Sequence, residues 1–441
     1  MQEQEIGREN IEQGKQLQAA FGMPPVSGEA IKADGLNELQ AVPVPTEQQV
    51  QAQPNLTSKV TLKRPPLIFA MPVKVTGNGD WDVYNISRPF SIENEQVVAV
   101  RYEPPFDLEK GKLTDSSIVF GRWRPDKKEI ELLKDCIKLS GEDPTVVELP
   151  DGTVLIGLVE TKVKGKETLY RTAFYHLKSL REGRFRKLKD LAGRALGLTT
   201  SLKPKVVGPW GMKDIRLLPL DEERVLLFTR PQRKFGSVQA RLGRVGAIVT
   251  TWSELFKDTE KRLLAERNGR EHIGLVEKAP VFLNQVAQNH WIGVNDAVLL
   301  KNGLVGVLAH TARWGTRKTG DSKKRYYDAV CFVLDPKKLR VTELVLVLTR
   351  KDFPSDLSAK RSVGYPEDGL KNVIFPGGMK RQEDGTLSLF VGISDKHAGV
   401  AVVEDPFKKI EAVSPEEFDS RIAWKEDLEL GVGFPVKEDR Q

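Results

Sequence analysis

From "LIFAMPVKV" (Leu67 to Val75) onward, the chain is written in short apolar runs separated by turn residues. Five segments share one plan: "ENEQVVAVRYE", "PDGTVLIGLVE", "LDEERVLLFTR", "KNGLVGVLAHTAR" and "EDGTLSLFVGISD". Each sets a turn before an apolar strand that ends in polar residues. The turns fall near Asn94, Asp151, Glu222, Asn302 and Asp384, at irregular intervals. Before each turn stands another strand with polar residues near its start: "VYNISRPFSI", "EDPTVVEL", "GMKDIRLLPL", "GVNDAVLL" and "KNVIFPGGM". A small antiparallel sheet repeated along a chain is how propeller blades appear in sequence. The pattern predicts an all-β fold, a five-bladed β-propeller over residues 60–441. Helical periodicity is confined to Trp252–Arg267 and the stretch around Leu180–Leu196.

Residues 1–59 break this texture. Ten glutamines fall between Gln2 and Gln53, and "AVPVPTEQQVQAQPN" has prolines but no large apolar cluster. Such a segment buries too little to offset its ordering entropy, so a disordered N-terminal tail is expected.

In a propeller the innermost strands line a central channel, and polar groups at their ends converge on one funnel. Asn85, Asp143, Lys213, Asp214, Asn295 and Asp296 are then expected as neighbours despite their sequence separation. The second strands would add Arg101, Arg230, His310 and Asp395.

Composition narrows the partners. The 441 residues carry a net charge of +7; the tail holds eight acids and four bases, so the remainder is more basic still. A basic body suggests an anionic partner: phosphate, nucleic acid or an acidic sugar. Two cysteines, Cys136 and Cys331, exclude a disulfide scaffold and a cysteine-cluster metal site. The five histidines, His176, His272, His290, His310 and His397, show no HExxH or HxH spacing, so no metal is expected. There is no apolar run of membrane-spanning length, and "MQEQEIGREN" lacks a secretory pattern; a cytoplasmic location is the default. The runs "KSLREGRFRKLK" and "RKTGDSKKRYY" read as solvated loops, so neither nucleic acid nor membrane is expected as a partner. Homo-oligomerisation is left open.

Two readings compete for Glu142-Asp143-Pro144. Asp-Pro opens turns, with Glu142 solvated. Alternatively, a carboxyl whose pKa is raised by burial or by a neighbouring carboxylate serves as a general acid. The basic set Arg101, Arg171, Lys213, Arg216, Arg230 and His310 is either six surface charges or the donor set of a phosphate site. "GPWGMKDIR" is no Walker loop, so side chains and not a glycine cradle would grip any phosphate. Trp81, Trp210, Trp291 and Trp314 lie near the proposed channel strands and could stack on sugar rings or fill the core.

The ordered motifs "DVYNISRPF", "VAVRYE", "SGEDPTVVELPDGTVLIG", "GPWGMKDIRLLPL", "FTRPQ", "GVNDAVLLKNGLVGVLAHTAR", "VIFPGGM" and "GTLSLFVGISDKHAGVAVV" resemble the β-mannoside phosphorylase superfamily of five-bladed propellers. The branch most resembled holds mannosyltransferase/phosphorylases of β-1,2-mannan and bacterial proteins of unknown function. The resemblance spans about Asp82 to Val403. It implies an inverting reaction: an aspartate in a Glu-Asp-Pro motif, here Asp143, protonates the glycosidic oxygen while phosphate attacks the anomeric carbon. Inorganic phosphate is then a co-substrate, and no cofactor is implied. By the same resemblance, phosphate contacts fall on Arg101, Arg171, Lys213 and His310. The resemblance also places Asn85 and Asp395 at sugar hydroxyls; Glu142, Asp214, Arg230 and Asp296, from the converging strand ends, are expected to bind substrate beside them. The chain departs from the family pattern at Thr145, where arginine is common, and at Met212-Lys213-Asp214, which commonly reads Gly-Lys-Asn. Two alternatives stand beside phosphorolysis: a hydrolase in which Glu142, Asp214 or Asp296 activates water, and a non-catalytic sugar-binding propeller.

Overall fold

The computed structural model describes residues 59–104, 116–164, 167–180, 203–232, 244–283, 285–286, 290–316, 320–362, 365–425 and 429–430. Nearly all of the expected tail, and all but Leu180 of the helical stretch around Leu180–Leu196, lie outside them.

The described chain is mostly strand. The turns anticipated from sequence close hairpins, and the reason is local. Glu93 and Asn94 take left-handed conformations between paired Ile92 and Glu95, as a two-residue hairpin turn demands. At Asp151, Asn302 and Asp384 the side chain accepts the amide N–H two residues on, at 2.8, 3.2 and 2.9 Å, and the glycine between them carries the positive φ.

Around these hairpins the strands pair as antiparallel meanders. The first runs through Asp82–Tyr84, Glu95–Glu103, Ser117–Arg124 and Glu129–Leu132. The second takes Glu142–Glu148, Val154–Lys164, Glu167–Leu177 and Val206–Val207. The third comprises Arg216–Pro219, Arg224–Thr229, Val245–Thr251 and Val281–Leu283. A fourth follows through His290–Leu299, Val305–Trp314, Arg325–Asp335 and Val345–Leu348. The last is Asn372–Arg381, Thr386–Ile393 and His397–Glu404, and its outer strand is Leu67–Pro72 from the other end of the chain.

Strand alternation gives each sheet two apolar faces, and each face packs on a neighbouring sheet. The core is accordingly divided. Ile118, Phe120, Val146 and Ile156 fill the space between the first and second sheets. Val147, Phe174, Leu217 and Leu227 lie between the second and third, and Phe228, Ala247, Val307 and Phe332 between the third and fourth. Cys331, Val333, Ile374 and Leu389 join the fourth to the fifth. Val98, Val100, Phe390 and Val400 join the fifth back to the first. The sheets thus close on themselves. Four of their leading strands touch in a ring: Glu142–Glu148 packs by Arg216–Pro219, that by His290–Leu299, that by Asn372–Arg381, which returns to Glu142–Glu148. Asp82–Tyr84 of the first sheet packs by Thr386–Ile393.

Among the described residues one long helix, Trp252–Arg267, forms where its periodicity predicted. Thr251 caps it: its hydroxyl accepts the Glu254 N–H at 3.2 Å, and the Glu254 carboxylate accepts the Thr251 N–H. Its buried Arg262 donates to Asp258 and Glu277 and to the His272 carbonyl. Among the described residues no helix is long and apolar enough to cross a membrane.

Candidate active site

The backbone turns left-handed at Asn85, Asp143 and Asp214, with φ of 48°, 50° and 60°. These positions stand at or just beside the leading strands of the first three sheets. Asn and Asp accept this conformation better than other side-chain-bearing residues, and strain of this kind gathers at functional sites. Asp395, with φ of 51°, adds a fourth from the last sheet.

Asp143 is buried, and its Oδ1 accepts from Asn85 Nδ2 at 2.7 Å and from Arg101 Nη1 at 2.9 Å. Arg101 is shared among carboxylates: it also meets Glu103 at 2.6 Å and Glu142 at 3.2 Å. Tyr84 lies beneath its guanidinium, 5.0 Å from the ring centre, and donates its hydroxyl to Glu103 at 2.9 Å. Lys360 reaches in from the loop before the last sheet, donating to Tyr84 Oη at 2.8 Å and pairing with Glu103. Asp395 faces this group through Arg101 and Lys360, and burial pushes its carboxyl up.

The third and fourth sheets supply the other half. Asp214 is buried with Arg230, whose Nη2 lies 2.9 Å from Oδ2. The pair is close but not aligned for a hydrogen bond, and both Asp214 oxygens, Arg230 Nε and Asn295 Nδ2 have no hydrogen-bond partner among the described residues. His310 is buried, with Nδ1 2.7 Å from Asn295 Oδ1. Gly293 lets this pack: a Cβ there would stand 2.6 Å from His310 Cε1 and 2.9 Å from Asp214 Oδ2. Arg216 is buried, donating to the Asn295 and Ile215 carbonyls.

The halves meet electrostatically. Burial raises the Asp143 carboxyl, but the charges of Arg101 and Lys213 and the Asn85 hydrogen bond outweigh it, so its pKa lies below the ordinary value. An acid raised by burial or by Glu142 is therefore not what the protein alone presents; the cations win. Burial likewise raises Asp214, and Arg230, Lys213, Arg216 and His310 overcome it, holding it well below the carboxylate range. His310 is pushed down to about 3, by burial first and then by Arg230, Lys213 and Arg216, against the pull of Asp214. It is neutral at neutral pH. Arg216 feels Asp214, Asp143 and Asp296 together.

The structure gathers most of the residues singled out in the sequence: Asn85, Arg101, Glu142, Asp143, Lys213, Asp214, Arg230, His310 and Asp395. Asp296 sits at the margin. Its carboxylate accepts the Ala297 and Met379 N–H groups, each at 2.9 Å, and burial raises its pKa. Arg171 is not brought in. Its neighbour Tyr170 turns toward Lys213, 5.5 Å from the ring centre. One residue on, Arg171 takes the opposite face, bonding Glu160 and Glu266 over Trp210. Arg216, of the basic set, joins the gathered residues. Three members had no assigned role in the sequence reading: Tyr84 and Glu103 lie inside motifs quoted there, whereas Lys360 carries no local signal. Beside Lys360 and Asp82 opens a cavity of about 600 Å³, also lined by Asp356, Lys371 and Lys396. No His/Cys/Asp/Glu cluster suited to a metal occurs among the described residues.

Comparison of the coordinates with solved structures finds a mannose phosphorylase of Leishmania mexicana in complex with phosphate ion. It is 23% identical, with 79% of this chain and 92% of that one covered and a TM-score of 0.58. A GDP-Man-dependent mannosyltransferase of the same organism is 21% identical over 78% and 91%, with a TM-score of 0.57. A hypothetical protein from Leishmania major is 22% identical over 83% and 96%, with a TM-score of 0.55. The shared fold agrees with the resemblance carried by the ordered motifs. Among curated proteins compared by sequence, none matches. One family profile matches residues 63–189 and 196–409, and the chain belongs to that family, described as a protein of unknown function (DUF1861).

Proposed function

We propose that the meanders are the blades of a five-bladed β-propeller and that the protein is an inverting glycoside phosphorylase or mannosyltransferase of β-mannosides. Phosphate or mannose 1-phosphate is the second substrate. The observation that carries this reading is one juxtaposition: the buried Asp143 carboxylate shares its surroundings with Lys213 and Arg216, beside Asp214–Arg230 and a neutral His310.

Asp143 is the general acid, Asn85 and Arg101 hold it, and phosphate lies among Lys213, Arg216, Arg230 and His310. A phosphate anion there cancels part of the cationic field that keeps Asp143 ionised, so the carboxyl takes up a proton as the anion arrives. Asp143 then gives that proton to the glycosidic oxygen and the bond from that oxygen to the anomeric carbon breaks. A phosphate oxygen bonds the carbon from the opposite face. The products are the shortened sugar and mannose 1-phosphate of inverted configuration. With phosphate as nucleophile no second carboxylate is needed to activate water. Asp214, Asp395 and Glu142 remain to accept sugar hydroxyls.

A hydrolytic reading has one observation behind it: Asp214 has no hydrogen bond to either oxygen among the described residues, which leaves room for a water, although the cations that hold its pKa down weaken it as a base. The test is a screen of mannobiose isomers with and without phosphate, read by mannose 1-phosphate release. Phosphorolysis requires product only with phosphate, and its loss in Asp143→Asn, a residue that keeps the left-handed backbone. Equal turnover by the Asn variant overturns the role of Asp143; mannose release without phosphate favours hydrolysis.

A further inference from the structure

One face of the fourth sheet runs from the anion-holding group to the rim. Alternation puts Asn295, Gly293 and Trp291 on that face of its first strand, with the extra residue of a bulge at Asn295. His310, Ala312 and Trp314 follow on the second strand, and Ala329, Tyr327 and Arg325 on the third. Deeper along the same face, Leu308 and Cys331 pack against the fifth sheet. The apolar seam between the two sheets therefore ends, at its site end, in aromatic rings.

The rings touch in series. His310 stands 5.3 Å from Tyr327, Tyr327 5.8 Å from Trp291, and Trp291 6.1 Å from Trp314. Trp314 lies nearly parallel to Tyr365 of the loop before the fifth sheet, at 13° and 5.9 Å. The Arg325 guanidinium rests on both, 4.6 and 4.9 Å from their centres, which fixes the two planes relative to one another. The four rings are half-buried, where core aromatics such as Phe332 and Phe390 are closed off. Between them the floor is kept low by Gly293 and Ala312, cross-strand partners of His310 and Trp291. Ring faces that remain accessible beside polar groups are suited to ligands that are apolar on one face and hydroxylated at the edge, as sugar rings are, and they lose little side-chain entropy on binding.

We infer that this aromatic wall, Trp291, Trp314, Tyr327 and Tyr365 braced by Arg325, is a sugar-ring subsite. It takes a unit of the oligosaccharide beyond the acid and anion groups and so sets preference for chain length. The inference rests on the glycan reading above and assigns a role to residues which that reading leaves unused.

The test uses the full-length Asp143→Asn protein without phosphate, so that binding is measured apart from turnover. A ladder of β-1,2-linked mannobiose, mannotriose and mannotetraose is titrated by calorimetry and by tryptophan emission. Affinity is expected to rise with length and the emission to shift. Trp314→Ala and, separately, Tyr365→Ala are each expected to weaken the longer sugars by roughly three- to tenfold, the worth of one aromatic contact. Trp424→Phe, a ring held under Arg340 far along the chain and outside this wall, serves as the control and is expected to change nothing. Flat affinity along the ladder, or equal affinity in both aromatic variants and their parent, overturns the subsite even if phosphorolysis is found. Ring-dependent binding with neither mannose 1-phosphate nor mannose released by the wild-type protein upholds it and sinks the enzymatic reading.

Discussion

Replacing Arg101 by Met removes one cation that serves three carboxylates, Glu103 at 2.6 Å, Asp143 at 2.9 Å and Glu142 at 3.2 Å. Methionine keeps much of the aliphatic volume, so the change is chiefly one of charge. Asp143 and Glu103 are buried, and breaking a buried pair from one side costs about 3–5 kcal/mol because a charge stays behind uncompensated. For a chain of this length the unfolding entropy is about 0.9 kcal/mol/K, so the Tm at pH 7 should fall by about 3–5 °C. The pH dependence identifies the cause. In the native protein the Asp143 pKa is lowered, so its contribution is present above the ordinary carboxylate range and lost as the pH falls through and below it. In the variant Asp143 stays buried without its main opposing charge, so its pKa rises and protonation relieves the penalty. The gap between the two proteins should therefore be widest at pH 7 and narrow on approach to pH 4. Calorimetric scans across that range decide it. A gap that stays the same at both ends would show that Arg101 matters through its packing on Tyr84, and the electrostatic account of the site would fail.

Three further expectations follow from the same geometry. His310 is held neutral down to about pH 3. Below about pH 6.5 the unfolded chain takes up the proton the native protein refuses, and stability should decline by up to about 1.4 kcal/mol per pH unit; His310→Gln should remove that part of the slope in Tm against pH. Gly293→Ala places a methyl 2.6 Å from His310 Cε1 and 2.9 Å from Asp214 Oδ2. It should cost about 1–3 kcal/mol of stability and weaken binding of inorganic phosphate in a calorimetric titration, whereas an unchanged phosphate affinity would place the anion elsewhere. Arg262→Met strips the buried partner of Asp258 and Glu277 and should cost about 3–5 kcal/mol in thermal denaturation, loosening the Trp252–Arg267 helix.

The hairpins and the Trp252–Arg267 helix could be read along the chain because their causes are local. An Asp or Asn that bonds its own backbone two residues on, a glycine with positive φ and a Thr-x-x-Glu cap act within a few residues. The convergence of Asn85, Asp143, Lys213, Asp214 and His310 was legible at one remove, since repeated sheets put equivalent strand ends in equivalent places. Other features depend on residues far apart in sequence. The outer strand of the last sheet comes from Leu67–Pro72, and nothing in "LIFAMP" names His397–Glu404 as its partner. Arg171 was lost to the site by parity alone, because one step along a strand reverses the face. Lys360 arrives from a loop with no pattern of its own. The ionisation of Asp143 is not legible along the chain for the same reason: Glu142 is its neighbour in sequence, but Arg101 and Lys213 act on it most strongly after burial. Short-range periodicity and turn chemistry are written in the order of residues. The charge a buried carboxyl carries depends on the sum of fields from side chains that only folding brings within a few ångströms.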